Sequence, residues 1–150
     1  MFLLLSRFFR KKLLSSQEEE QILNAIRQAE NITSAEIRVA VGKRCEGDPV
    51  KKAIELFEKL GMTATQHRNG VLIYVSLHDR KFAIIGDIGI HNIVGDTFWN
   101  QVAKEMKNHF SNEELVQGII AGVQRAGEVL AKYFPRDDSD INELPDEIVY

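Results

Sequence analysis

Oxygen-bearing side chains stand at the borders of three apolar segments of the sequence. Glu36 opens the first segment, Asn69 precedes the second, and Asp87 follows the third. Asp96 lies further along the stretch that follows Asp87. Because carboxylate and amide oxygens on irregular backbone are the ligands that Ca²⁺ and Mg²⁺ prefer, we expect a divalent-cation site with Ca²⁺, or alternatively Mg²⁺, as the cofactor. The simpler alternative is that Asn69 and Asp87 bond turn amides and that Asp96 caps a helix.

The sequence lacks the local motifs of the common catalytic classes. It contains no GxxxxGK[ST] phosphate loop, no GxSxG nucleophile elbow, no HExxH helix and no EF-hand calcium loop. Its four histidines fall in different predicted elements, so neither a Ser/His/Asp triad nor a histidine metal site is indicated. The single cysteine, Cys45, excludes an internal disulfide and a cysteine-rich zinc site. Whether the protein is an enzyme stays open.

Periodicity and capping signals predict the elements that must position these residues. Ser16 and Glu19 form a capping box that begins a helix over residues 17–30. Strict alternation predicts a strand over residues 35–41. Asp48 before Pro49 is typical of a helix start, and Gly61 ends that helix.

The second half of the sequence predicts a hairpin followed by helices. Residues 71–77 are almost uniformly apolar, which is typical of a strand buried on both faces. The remaining predicted elements are a strand over 81–85, a loop over 86–95, a helix over 98–110, and a final helix that Ser111 and Glu114 cap and that ends at Tyr133.

The order of these elements predicts where the oxygen ligands meet. A strand, helix and strand in succession form a right-handed parallel crossover, and the short link to the third strand makes it antiparallel. The starts of strands one and two and the end of strand three then share one sheet edge, which brings Glu36, Asn69 and Asp87 together. The predicted fold class is α/β, a three-layer α/β/α sandwich around a short mixed β-sheet in a single domain.

A second charged cluster, His78, Asp79 and Arg80, falls at the opposite edge of the predicted sheet. It occupies the tip of the hairpin. Charged hairpin tips are usually just solvated, so we expect no function from it.

Length, composition and charge limit the class of protein. With 150 residues, 44% of them hydrophobic, the chain is long enough for one well-formed core. A net charge of −3 and a pI near 5.8 argue against a nucleic-acid binder, which needs a basic surface to meet phosphates. We divide the chain into a basic, apolar segment (1–16), an α/β domain (17–135) and an acidic tail (136–150).

The N-terminal segment offers an alternative function. Residues 2–14 interleave apolar side chains with Arg7, Arg10, Lys11 and Lys12, as in helices that lie in an anionic membrane surface. The competing interpretation is that these residues dock on the domain and lengthen the first helix. The opening apolar run is shorter than an export signal requires, so we expect a cytoplasmic protein, with peripheral membrane contact as the alternative.

Several strings of the sequence together resemble the TPM domain family, whose founding members include a thylakoid-lumen phosphatase-like protein and a photosystem II repair protein. The strings are 33–39 (TSAEIRV), 68–75 (RNGVLIYV), 82–90 (FAIIGDIGI), Phe98-Trp99, 125–128 (RAGE) and Phe134-Pro135. The closing 142–147 (NELPDE) resembles the tail of small stand-alone bacterial members. The resemblance covers roughly residues 17–147.

The resemblance implies an α/β/α sandwich, binding of a divalent cation, often calcium, and acid phosphatase activity in some relatives. The matching motifs imply that Glu36, Asn69 and Asp87 are the site residues. Asp96 is included mainly because it is predicted to lie at the same sheet edge. The first hypothesis is a cation-binding domain that regulates or docks an unidentified protein partner. The second is a metal-dependent phosphomonoester hydrolase in which Arg38 faces the phosphate, and the third is the membrane-surface protein.

Overall fold

The computed structural model describes residues 13–136 and 147–150. The elements in chain order are α1 (Ser16–Glu30), β1 (Ile37–Gly42), α2 (Pro49–Lys59), β2 (Val71–Ser76), β3 (Lys81–Gly86), α3 (Ile88–Ser111), α4 (Leu115–Tyr133) and β4 (Ile148–Val149).

The first two helices begin with the capping side chains that the sequence favours. At α1 the capping box forms one residue earlier than predicted, because Ser15 and Glu18 satisfy the same pattern as Ser16 and Glu19. The Glu18 amide donates to Ser15 Oγ at 3.1 Å. At α2, Asp48 Oδ1 accepts from the Val50 amide at 2.9 Å, as predicted.

The four strands form one mixed sheet in the order β3-β2-β1-β4. Strand β1 pairs parallel with β2, with Ile37 opposite Val71, and β2 pairs antiparallel with β3, with Val71 opposite Gly86. This register confirms the predicted crossover and hairpin. Strand β4 adds a short parallel pairing on the other side of β1, which the sequence pattern of the tail did not predict.

The sheet separates a large core from a small one. The large core packs α1, α3 and α4 against one face, where Ile37, Val39 and Ile73 are buried. The small core packs α2 against the other face through Phe57 and Leu72. Alternate residues of each strand pack into the large and the small core, since successive side chains point to opposite faces of the sheet. The fold is therefore the predicted α/β/α sandwich in a single domain.

Two predictions about the helices on the large core are wrong. The stretch from Gly86 to Gly95 is not a loop, because α3 begins at Ile88 and only bends at Gly95, whose φ is 70°. The capping box at Ser111 does not form, because Ser111 still belongs to α3. Over the described chain, α4 begins after Glu114 without a side-chain cap.

The membrane prediction for residues 2–14 falls mostly outside the described residues. Of that segment Leu14 is buried in the large core and Leu13 packs against it. Within residues 13–136 and 147–150, no helix is long and apolar enough to cross a membrane.

Candidate functional site

Neighbouring strand ends bring the predicted site residues to one place. The Val71 amide donates to the Glu36 carbonyl at 2.8 Å, and the Asp87 amide donates to the Gly70 carbonyl at 2.9 Å. Glu36, Asn69 and Asp87 therefore lie at three adjacent strand ends, and we call this group the polar edge. All three residues are buried.

Asp87 is hydrogen-bonded through both of its carboxylate oxygens. Its Oδ2 accepts from Arg68 Nε at 2.6 Å, and its Oδ1 accepts from Arg68 Nη2 at 2.9 Å. Oδ1 also accepts from the Ile88 amide at 2.8 Å, so Asp87 caps α3. Both oxygens of this buried carboxylate are therefore hydrogen-bonded, as the simpler alternative to a metal site expects.

Arg68 is the positive partner within the polar edge. Its side chain is 47% exposed while that of Asp87 is 7% exposed, so the ion pair closes the edge toward solvent. The hydrogen bond to Asp87, and then the negative charge of Asp87, raise the pKa of Arg68 above its ordinary value. The guanidinium therefore keeps its charge, and its planar donors match the carboxylate in a bidentate pair.

The backbone around Arg68 is fixed by the first turn of α3. Gly89 donates to the Arg68 carbonyl at 2.8 Å. A Cβ at position 89 would collide with the carbonyl oxygens of His67 and Arg68, so only glycine allows this approach. Arg68 itself has a left-handed φ of 51°. The loop before β2 and the start of α3 thus hold each other in place.

Asn69 brings a buried amide to the same edge. Asn69 is 2% exposed. The backbone amide of Asn69 donates to Thr65 Oγ1 at 3.3 Å. Among the described residues, its side-chain Nδ2 has no hydrogen-bond partner. A half-turn of the amide group exchanges nitrogen and oxygen at nearly the same positions, so Asn69 can offer an oxygen there.

Asp96 lies apart from the polar edge. It follows the bend at Gly95, its side chain is 87% exposed, and its Oδ1 is 3.6 Å from His91 Nε2. His91 Nδ1 accepts from Trp99 Nε1 at 3.2 Å, which orients the imidazole toward Asp96. The structure thus joins Glu36, Asn69 and Asp87 at one edge and does not bring Asp96 there.

A comparison with protein-family models identifies the domain. The model of the TPM domain matches residues 9–129. This chain belongs to the TPM domain family. No curated protein gives a significant match.

Solved structures agree with the TPM domain assignment. The chain is 42% identical to the BA42 protein of the psychrophilic bacterium Bizionia argentinensis, with a TM-score of 0.86 over 93% of this chain and 96% of that one. The N-terminal domain of cg2496 from Corynebacterium glutamicum is 15% identical, with a TM-score of 0.63 over 92% of this chain and 81% of that one. A P. gingivalis domain is 20% identical, with a TM-score of 0.63 over 81% and 79%. The last two share the fold alone.

The ligand set of this TPM domain is small for a metal centre. Within the described ranges, no three His, Cys, Asp or Glu side chains lie together in a way that could hold a metal ion. The polar edge supplies two carboxylates and one amide. Since Ca²⁺ takes about six to eight oxygens, backbone carbonyls and water would have to complete the coordination of a cation there.

Sequence reasoning missed Arg68 as the partner of Asp87 at the polar edge. The available signal was its position next to Asn69 in the turn that leads into β2. Position in the sequence alone does not show which carboxylate the Arg68 guanidinium pairs with, because Arg68 and Asp87 belong to separate elements. The pairing is a tertiary contact.

Proposed function

We propose that this TPM domain binds a divalent cation, Ca²⁺ or Mg²⁺, at the polar edge and that binding regulates how the edge docks a protein partner. The observation that carries the proposal is the register of β1, β2 and β3, which brings two buried carboxylates and one buried amide to adjacent strand ends. Oxygen groups of this kind suit a hard cation.

Arg68 gives the proposal a regulatory step. It occupies both oxygens of Asp87, so a cation has to compete with the guanidinium for the carboxylate. Binding would release Arg68 toward solvent and change the charge of the exposed surface. Competition of this kind, together with few protein ligands, favours modest affinity and a response to changes in cation concentration.

The surface beside the polar edge supports a docking role. Ile88 follows Asp87 directly and is 54% exposed. A large apolar side chain that stays in water beside a charged site offers a contact for a protein partner. A cation that moves Arg68 would alter the electrostatic rim of this apolar surface.

Cation titration of the full chain tests the proposal. We expect Ca²⁺ or Mg²⁺ to raise the melting temperature and to shift the amide resonances of residues 36, 69 and 87, because a ligand of the folded state stabilises it. The double variant Glu36→Gln with Asp87→Asn should lose both effects. Arg68→Gln should bind the cation about fivefold more tightly, since the competing positive charge is gone.

Asp96→Asn provides the matched control, because it removes an exposed carboxylate outside the polar edge. Its cation response should equal that of the wild type. A response that survives in the double variant, or that disappears in Asp96→Asn, would contradict the site.

No observation on the described residues favours the phosphatase alternative. Arg38, the residue expected to face a phosphate, is buried, and its Nη2 lies 3.7 Å from Glu147 Oε1. We therefore expect little or no turnover of a generic aryl phosphate. Turnover that requires the cation and is lost in Asp87→Ala would overturn this expectation.

A further inference from the structure

A cavity of about 310 Å³ opens at the end of the sheet opposite the polar edge. It lies between the β2–β3 hairpin, the end of α3 and the start of α4. Its walls include Val75, Leu77, Phe82, Phe110 and Leu115, so the lining is mainly apolar. We call this cavity the hairpin pocket. Its volume falls at the lower end of the range of small-molecule sites.

Two aromatic rings form one wall of the hairpin pocket. The rings of Phe82 and Phe110 meet edge to face, with centroids 4.9 Å apart and an angle of 74°. Both residues are only partly buried. An edge-to-face pair leaves ring surface that a further aromatic group can contact at favourable geometry.

Two opposite charges line the mouth of the hairpin pocket. Arg80 and Glu113 both belong to its lining, and both are exposed. Within the part of the chain that the structure describes, neither side chain forms an ion pair. Both residues have left-handed backbone, with φ of 52° and 59°. Glycine or asparagine would adopt this conformation more easily. The left-handed backbone therefore does not explain why charged residues occupy positions 80 and 113.

Arg80 is the positive side chain at the mouth. Lys81 does not add to it, because Lys81 and Phe82 point to opposite faces of β3 and Lys81 Nζ donates to the Gly47 carbonyl at 2.8 Å and to the Cys45 carbonyl at 3.1 Å. Leu115 begins α4, so the positive end of that helix dipole faces the pocket region. Glu113 opposes Arg80 with one negative charge. The mouth therefore offers an anion an exposed guanidinium and the N-terminus of a helix.

We propose that the hairpin pocket binds a small carboxylate with an aromatic body. Arg80 would bind the carboxylate, and the ring would pack against Phe82 and Phe110. One water takes up about 30 Å³ of liquid, so the cavity has room for about ten atoms of that size. 3-Phenylpropanoate has about that number of non-hydrogen atoms, and it is the probe that we would use. The site does not depend on the cation proposal, because it shares no residue with the polar edge.

Binding is measured by NMR titration of the full chain with 3-phenylpropanoate. We expect shifts that concentrate in residues 75–82 and 110–115. The neutral 3-phenylpropanol and the cationic 3-phenylpropylamine share the ring and should bind at least about tenfold more weakly. The alcohol cannot form the charge-assisted hydrogen bond to Arg80, and the amine carries a charge of the same sign as Arg80. Equal binding of the alcohol, or shifts at residues 36, 69 and 87 instead, would overturn the proposal.

Two matched substitutions separate a role in binding from a role in folding. Arg80→Asn and Glu113→Asn each remove one charge and place a residue that tolerates left-handed backbone. Arg80→Asn should weaken 3-phenylpropanoate binding about tenfold, whereas Glu113→Asn should strengthen it about threefold. Lys52→Gln removes a positive charge on the distant α2 and should leave the affinity unchanged. If Arg80→Asn and Lys52→Gln have the same affinity, or if Glu113→Asn weakens binding, the proposal fails.

Discussion

The two ends of the sheet treat charged side chains in opposite ways. At the polar edge, the Asp87 carboxylate is buried, capped onto α3 and paired with Arg68 through two hydrogen bonds. At the hairpin pocket, Arg80 and Glu113 are exposed and stand beside an apolar cavity. The first arrangement joins segments of the chain to one another. The second leaves two charged side chains exposed at the lining of a cavity.

This difference indicates how each end can take a ligand. A ligand at the polar edge must compete with bonds that already stabilise the fold, so binding there is coupled to a rearrangement. A ligand at the hairpin pocket would break no ion pair of Arg80 or Glu113 among the described residues, so we expect binding there to leave the fold as it is. The described chain has three residues other than glycine with a left-handed φ, namely Arg68, Arg80 and Glu113, and all three lie at these two ends.

The largest effect that we expect comes from comparing one glycine at each end. Gly89→Ala places a Cβ against the carbonyls of His67 and Arg68. These are backbone atoms, which cannot rotate away from the added Cβ as a side chain can. The substitution should lower the free energy of unfolding by about 3 kcal/mol. Gly118→Ala places a Cβ 2.6 Å from Phe110 Cδ1, but that ring can turn into the pocket. Because alanine gains about 1 kcal/mol in a helix interior, the net loss should be about 1 kcal/mol.

Denaturant unfolding of the two glycine variants measures this difference. Gly118→Ala should also weaken 3-phenylpropanoate binding, because the Phe110 ring then fills part of the pocket. If Gly118→Ala destabilises the protein as much as Gly89→Ala, the surroundings of the two glycines accommodate a Cβ equally poorly and the comparison fails.

An intermediate effect should come from removing one charge at each end. Asp87→Ala removes the N-cap of α3 and leaves Arg68 without its partner, so the free energy of unfolding should fall by at least about 1–2 kcal/mol. Arg80→Asn removes an exposed charge outside any ion pair of the described residues, and the change should stay within about 0.5 kcal/mol. Thermal unfolding of both variants without added cation provides the measurement. A loss in Arg80→Asn that matches the loss in Asp87→Ala would contradict the comparison.

The sequence predicted the sheet and the polar edge because both follow from local pattern and general topology. The apolar run of β2 and the alternation of β1 identify buried strands, and the handedness of the crossover then aligns their ends. That reasoning places Glu36, Asn69 and Asp87 together without any knowledge of their side-chain contacts. The register of the sheet brings these three positions to adjacent strand ends, and their role as cation ligands stays a prediction.

The sequence did not predict the features that depend on tertiary contacts. The sequence predicts a loop over residues 86–95, whereas α3 begins at Ile88 and buries Ile90. Gly86, Gly89 and Gly95 lower the helix propensity of this stretch, so the helix there depends on tertiary packing. The pairing of Arg68 with Asp87 joins residues from separate elements. The hairpin pocket is lined by the hairpin and by two helices, and no local motif encodes such a cavity.

The smallest effect that we predict is a loss of stability at alkaline pH. It should come from the hairpin, and the polar edge should keep its charges. Burial, and after it the neighbouring Cys45 thiol, raise the pKa of Tyr74 in β2 from 10.0 to about 12. A raised pKa means that the folded state retains the phenol proton that the unfolded state loses. The stabilisation from the neutral phenol is therefore complete below pH 10 and is lost as the pH rises toward 12. The charge of Arg68 persists over this range because its pKa is raised as well.

The Tyr74 contribution to the free energy of unfolding should fall by about 1 kcal/mol between pH 9 and pH 11. Tyr74→Phe has no phenol to ionise, so its stability should fall less than that of the wild type over the same interval. The comparison uses the slope of stability against pH, because the substitution also removes a hydrogen bond of 3.5 Å to the Arg44 carbonyl and so shifts the baseline. Equal slopes for the two proteins would mean that the phenol of Tyr74 ionises as easily in the folded chain as in the unfolded one. Such a result would remove the argument that alkaline pH distinguishes the hairpin from the polar edge.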